Sequence, residues 1–124
     1  MARILLIEDD QAQREILRII LEKMGHAVTE ACDGNQGLER FAQGGADVVL
    51  TDLIMPVKEG LETIQEFRQI YPAVKIIAMS GGARVGANDY LSVAQRFGAI
   101  RVLAKPFTRE ALVEAINAAL PAAG

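Results

Sequence analysis

One cysteine and one histidine are all that the 124 residues contain of those types. Cys32 has no partner for an intrachain disulfide and no neighbours at metal-ligand spacing, so a disulfide scaffold is excluded and a reducing compartment, the cytoplasm, is expected. With His26 alone there is no imidazole cluster for zinc. It lies before the second predicted strand, at the end opposite the polar residues discussed below, and reads as a surface turn residue with no role as base to a serine nucleophile. Long hydrophobic runs are missing too. The apolar stretch Ile4 to Ile7 is too short for a signal-peptide core or a membrane span and runs straight into acids, so no targeting signal or membrane association is expected. Thirteen basic residues are scattered among sixteen acidic ones, for a net charge of −3. Such a chain offers no nucleic-acid surface and no polybasic membrane patch. Repeats, low-complexity stretches and an internal domain boundary are also absent.

What remains is a chain that is 51% apolar. At this length folding buries roughly two thirds of the surface an unfolded chain exposes, enough for one globular domain spanning residues 1–124 without staples. Short apolar runs alternate with helical patterns throughout. Strands are expected at 3–8, 27–31, 46–51, 74–79 and 100–104, each too short for a helix. Between them the period changes to that of amphipathic helices. The apolar faces are Ile16, Leu17, Ile20, Leu21 and Met24 in the first helix and Leu38, Phe41 and Ala42 in the second. Leu61, Ile64 and Phe67 mark the third, and Tyr90, Val93, Ala94 and Phe97 the fourth. The fifth carries Leu112, Val113, Ile116, Ala119 and Leu120. Asp10 with Gln13 resembles a capping box, Gly25 ends the first helix and Thr108 caps the last.

Strict alternation selects an α/β fold with a parallel sheet, because each parallel pairing needs a crossover long enough to hold a helix. The continuously apolar strands one, three and four belong at the centre, whereas strand two mixes in Thr29 and Glu30, and Arg101 interrupts strand five. The order 2-1-3-4-5 with five helices follows, the flavodoxin-like doubly wound arrangement.

In such a sheet ligands bind beyond the carboxyl ends of the strands, where strand order reverses. Those ends carry Glu8 and Asp9, Asp52, Ser80 and Lys105. Neighbouring strands are about 4.8 Å apart, so three carboxylates crowd together, and either some are protonated or a hard divalent cation such as Mg2+ relieves them. Solvated loop acids or helix caps are the plainer alternative. Lys105 stands two strand spacings, roughly 10 Å, from strand three, a gap a lysine side chain can largely cross. A carboxylate beside a divalent cation, an ammonium and a hydroxyl suits a phosphoryl group. The glycine-rich stretch from Gly81 to Gly86 fails as a phosphate loop, since Ala87 and Asn88 stand where Lys and Ser or Thr are needed. It reads as a mobile loop with Arg84 on its surface.

Together the motifs ILLIEDD, LTDLIMPVKEGLE, IIAMSG and VLAKPFT resemble the receiver domains of two-component response regulators, over essentially the whole chain. The resemblance implies a phosphorylation-dependent signalling switch and not a turnover enzyme. Asp52 would accept a phosphoryl group from a histidine kinase or histidine phosphotransfer protein. Asp9, Asp52 and the main-chain carbonyl of Ile54 would bind Mg2+ directly, with Glu8 acting through water. Lys105 would pair with the phosphoryl oxygens, its bond to Pro106 would be cis, and Ser80 would move toward the new group, passing the signal to an unidentified downstream protein.

Two departures from the family pattern stand out. Val102 occupies the place of the usual aromatic switch residue, so the switch must differ or be weaker, and the stretch from Ser80 to Tyr90 is longer than usual. Ile54 and Gly82 offer no polar side chain to orient water, which implies slow self-dephosphorylation. With no output domain after the fifth helix, a stand-alone receiver is expected. The readings set against it are a flavodoxin-like small-ligand or nucleotide binder and an unphosphorylated pseudo-receiver scaffold.

Overall fold

The computed structural model describes residues 2–52, 60–81, 98–105 and 107–120, with backbone alone for Gly60, Leu61, Ser80 and Gly81. In chain order the elements are β1 (Arg3–Ile7), α1 (Gln11–Lys23), β2 (Ala27–Ala31), α2 (Gly34–Gly44), β3 (Val48–Asp52), α3 (Gly60–Ile70), β4 (Lys75–Gly81), β5 (Arg101–Lys105) and α4 (Arg109–Ala119). The five strands form one parallel sheet in the order β2-β1-β3-β4-β5. The fold class expected from the alternation is the one observed. The expected helix at Tyr90 to Phe97, the loop containing Gly82, Arg84 and Gly86, Ile54 and Pro106 lie outside the described residues.

Strand polarity predicts position. Ile4 to Ile7, Val48 to Leu50 and Ile76 to Met79 are buried, whereas β2 alternates between exposed and half-buried until Ala31. Alternate side chains go to opposite faces. Ile4, Leu6, Val48, Leu50, Ile77, Met79 and Leu103 pack beneath Leu17 and Leu21 of α1 and Leu112, Ala115, Ile116 and Ala119 of α4. Leu5, Ile7, Val49, Ile76 and Ala78 face α3 through Ile64 and Phe67 and α2 through Leu38 and Phe41. Val102 packs on that second face.

Two helix faces differ from expectation. Ile16 is 58% exposed, and the buried stripe of α1 is Leu17 and Leu21, flanked by Ile20 and Met24. At about 100° per residue Ile16 stands a full quarter-turn from Leu17, beyond the reach of the sheet. Ala42 is likewise exposed one residue past Phe41, and α2 instead buries Gly34 and Gly37. Gly37 is there for closeness, since a Cβ would stand 2.9 Å from Ile7 Cγ1.

Strand ends also move. β3, β4 and β5 run further toward the carboxyl side than expected, taking in Asp52, Ser80 and Lys105, because the neighbouring ladder continues through Asp52 with Met79, Ser80 with Ala104 and Gly81 with Lys105. β1 ends at Ile7, although the Glu8 N–H still bonds to the Ala31 carbonyl at 3.0 Å. The chain turns after α1 at Gly25, whose φ of 93° favours glycine. His26 is half-buried, not a bare turn residue: its Nδ1 accepts the Ala2 N–H at 3.1 Å, and burial holds its pKa below the usual imidazole value.

Candidate functional site

Parity along the strands assembles the site. Glu8 lies two residues past Leu6, Asp52 two past Leu50 and Lys105 two past Leu103, all on the face covered by α1 and α4. The packed core below fixes their backbones, and their heads emerge at the carboxyl rim. Lys105 Nζ donates to Glu8 Oε1 at 2.8 Å and to Asp52 Oδ2 at 2.9 Å, crossing the end of β4. Asp9, exposed, brings a third carboxylate: Glu8, Asp9 and Asp52 each offer an oxygen within 4.8 Å of the others. The sequence places these four residues together, and the structure does too. Ser80 is aligned with Ala104 at the end of β4, beside this cluster in the ladder.

Burial governs the charges. Glu8 is 1% exposed and Asp52 6%. Desolvation pushes the Glu8 carboxyl up to about 8; the neighbouring Asp52 carboxylate adds to the rise and Lys105 opposes it. Burial alone would lower the Lys105 pKa, but the two carboxylates outweigh it and the net shift is upward. The lysine is therefore a fixed cation and Glu8 a group on the edge of ionisation. Glu8 Oε2 is buried with no hydrogen-bond partner among the described residues. An all-oxygen donor set with one such atom, faced among the described residues by a single ammonium, fits a hard divalent cation.

Two further residues complete the site. Arg14 in α1 donates through Nη1 to the Glu8 carbonyl at 2.8 Å and pairs through Nε with Glu30 at 3.3 Å, tying β1, β2 and α1 together beneath the acids. Gln13 Oε1 accepts the third Lys105 N–H at 2.8 Å. From spacing alone Gln13 reads as half of a capping box. Asp10 does cap α1, accepting the Gln13 N–H at 3.0 Å, but the Gln13 side chain turns to the lysine. The available signal was its place in the first turn of α1, above the rim where strand one ends.

A family model described as the response regulator receiver domain matches residues 4–117. The chain belongs to the response regulator receiver domains. It is 39% identical to the response regulator receiver protein CpdR of Brucella abortus over 123 residues, covering 99% of this chain and all of that one. It is 33% identical to the chemotaxis protein CheY of Thermotoga maritima, covering 93% and 94% of the two chains. A crystal structure of a receiver domain protein from Clostridium thermocellum superposes with a TM-score of 0.89 at 33% identity, covering 97% of this chain and 94% of that one. Receiver domains are phosphorylation-regulated signalling switches and not enzymes in the ordinary sense. They take phosphoryl groups from histidine kinases, act on downstream partners, and bind Mg2+ at an acidic pocket. The small-ligand and unphosphorylated-scaffold readings are not favoured.

Proposed function

We propose that this receiver domain, residues 1–124, accepts a phosphoryl group on Asp52. The observation that carries this reading is the placement of one carboxylate, 6% exposed, at the end of a central strand with an ammonium 2.9 Å away and two more carboxylates beside it. An Asp52 carboxylate oxygen attacks the phosphorus of a phosphohistidine. The new O–P bond forms as the N–P bond breaks, and the departing imidazole nitrogen keeps the electron pair and takes up a proton. The Lys105 N–H now directed at Asp52 is positioned to turn to a phosphoryl oxygen, neutralising charge where it gathers.

Three carboxylates facing one ammonium repel an incoming phosphoryl anion, which is the reason to place a cation here. Asp9 and Asp52 would hold Mg2+ directly and Glu8 through water, with the Ile54 carbonyl, outside the described residues, supplied by the family resemblance. Bound there, the ion supplies positive charge to the phosphoryl oxygens. Ser80 is the hydroxyl that senses the modification. The phosphodonor is a sensor histidine kinase or phosphotransfer protein, and a free, exposed Cys32 is in keeping with a cytoplasmic domain. No described helix is long and apolar enough to cross a membrane.

The test is incubation with acetyl phosphate and Mg2+, read by intact mass. The wild-type protein should gain one phosphoryl group that hydroxylamine removes, and Asp52→Asn should gain none. Equal labelling of that variant would reject the assignment.

A further inference from the structure

The chain contains the same capping pattern twice. Asp10 and Asp33 each cap a helix by accepting the backbone N–H of a glutamine three residues on, Gln13 at 3.0 Å and Gln36 at 2.8 Å. The two glutamine side chains then part company. Gln36 Oε1 turns back to the Cys32 N–H at 2.8 Å, serving its own helix start. Gln13 Oε1 leaves the helix start and accepts from Lys105 Nζ at 2.8 Å, a residue 92 positions away in sequence.

An ammonium has three N–H donors. On Lys105 they meet Glu8 Oε1, Gln13 Oε1 and Asp52 Oδ2. Two of those acceptors sit on elements the reaction leaves unmodified, the end of β1 and the first turn of α1. The third is on the carboxylate that reacts. Fixing two of three tetrahedral donors fixes the direction of the last.

From this geometry we infer that Gln13 is a positioning residue for the phosphotransfer. With Glu8 it holds the Lys105 ammonium so that its remaining N–H points at Asp52 before reaction and at a phosphoryl oxygen afterwards. Gln13 keeps its contact in both states, and the exchange takes place at Asp52 alone. A neutral amide suits this role at low Mg2+ because it accepts a hydrogen bond without adding a fourth carboxylate to a crowded rim, a repulsion that saturating Mg2+ offsets. The inference rests on Asp52 being the acceptor.

Gln13→Met removes the acceptor while keeping side-chain length, and it leaves the backbone cap from Asp10 intact, so α1 should fold as before. Labelling by acetyl phosphate at saturating Mg2+ should slow about fivefold, the scale of one ordinary solvent-exposed hydrogen bond. The Mg2+ concentration for half-maximal rate should not change. Gln13→Glu, which restores an acceptor, should recover most of the rate at saturating Mg2+. In the unmodified protein the Lys105 ammonium, followed by nitrogen-15 NMR, should exchange its protons with water faster in Gln13→Met than in wild type. Equal labelling rates for wild type and Gln13→Met, or an equal loss in Gln13→Glu, would overturn the inference. If wild type gains no phosphoryl group, the reading of Asp52 fails, and the ammonium exchange comparison still decides the Gln13 contact.

Discussion

A carboxyl group at 1% exposure, next to a second carboxylate, binds its proton well above the usual pH. For Glu8 the folded value is about 8 against an ordinary 4.5. Because the folded value is the higher one, the stabilisation this proton provides is complete below about pH 4.5 and is lost as pH rises through about 8. Without divalent cations, wild type should therefore lose thermal stability relative to Glu8→Gln steadily across that window. Glutamine at this position keeps an oxygen for Lys105 and carries no charge to bury. The check is the difference in Tm between the two proteins in chelator from pH 4.5 to 8.5; a constant difference would rule the mechanism out. The sequence shows that three acids crowd one rim and that a proton or a cation must relieve them. It does not show which acid takes the proton, because that depends on burial: Asp9 is exposed and Glu8 is not. Gln13 escaped the sequence reading for a related reason. Local spacing explains where its backbone goes, and only the folded sheet brings Lys105 within reach of its side chain.

At the scale of elements, what the sequence reveals is periodicity and what it hides is closeness. Three strands with unbroken apolar runs, Ile4 to Ile7, Val48 to Leu50 and Ile76 to Met79, belong at the centre, and the observed order agrees with that and with the crossover rule. Helix margins are less legible, because an isoleucine one residue outside the buried stripe has the same composition as one inside it. Ile16 is the example. Gly37 is another position where packing, not pattern, decides. As a helix residue it would ordinarily favour replacement by alanine, by about 1 kcal/mol. Here the added Cβ would meet Ile7, itself fully buried between β2 and β3, at 2.9 Å from Cγ1. Overpacking of this kind costs about 1–3 kcal/mol. Gly37→Ala should thus be destabilising on balance, by about 1 kcal/mol, in urea unfolding. A stabilised variant would mean that α2 moves freely over the sheet. The edge-to-face contact of Phe41 on α2 with Phe67 on α3, ring centroids 5.4 Å apart, argues that it does not.

Across the described residues, repulsion is concentrated at one rim and countered there by Lys105, reaching from the edge strand β5 over β4 to the ends of β3 and β1. The unfolded chain spreads Glu8, Asp9 and Asp52 along more than forty positions and has no such cluster. A cation that binds the folded rim therefore stabilises the entire fold through mass action. At a hundredfold excess over its Kd, Mg2+ should add about 2.7 kcal/mol, which for a domain of this size is a rise of about 10 degrees in Tm. The rise should be larger at pH 8 than at pH 6, since protonated Glu8 has less charge for the ion to relieve. Asp9→Asn and Asp52→Asn should each blunt it, because each removes one of the oxygens that share the 4.8 Å cluster. A Mg2+-dependent rise of equal size in both variants and wild type would place the ion elsewhere on the surface, and would remove the electrostatic reason for grouping these acids at the end of the sheet.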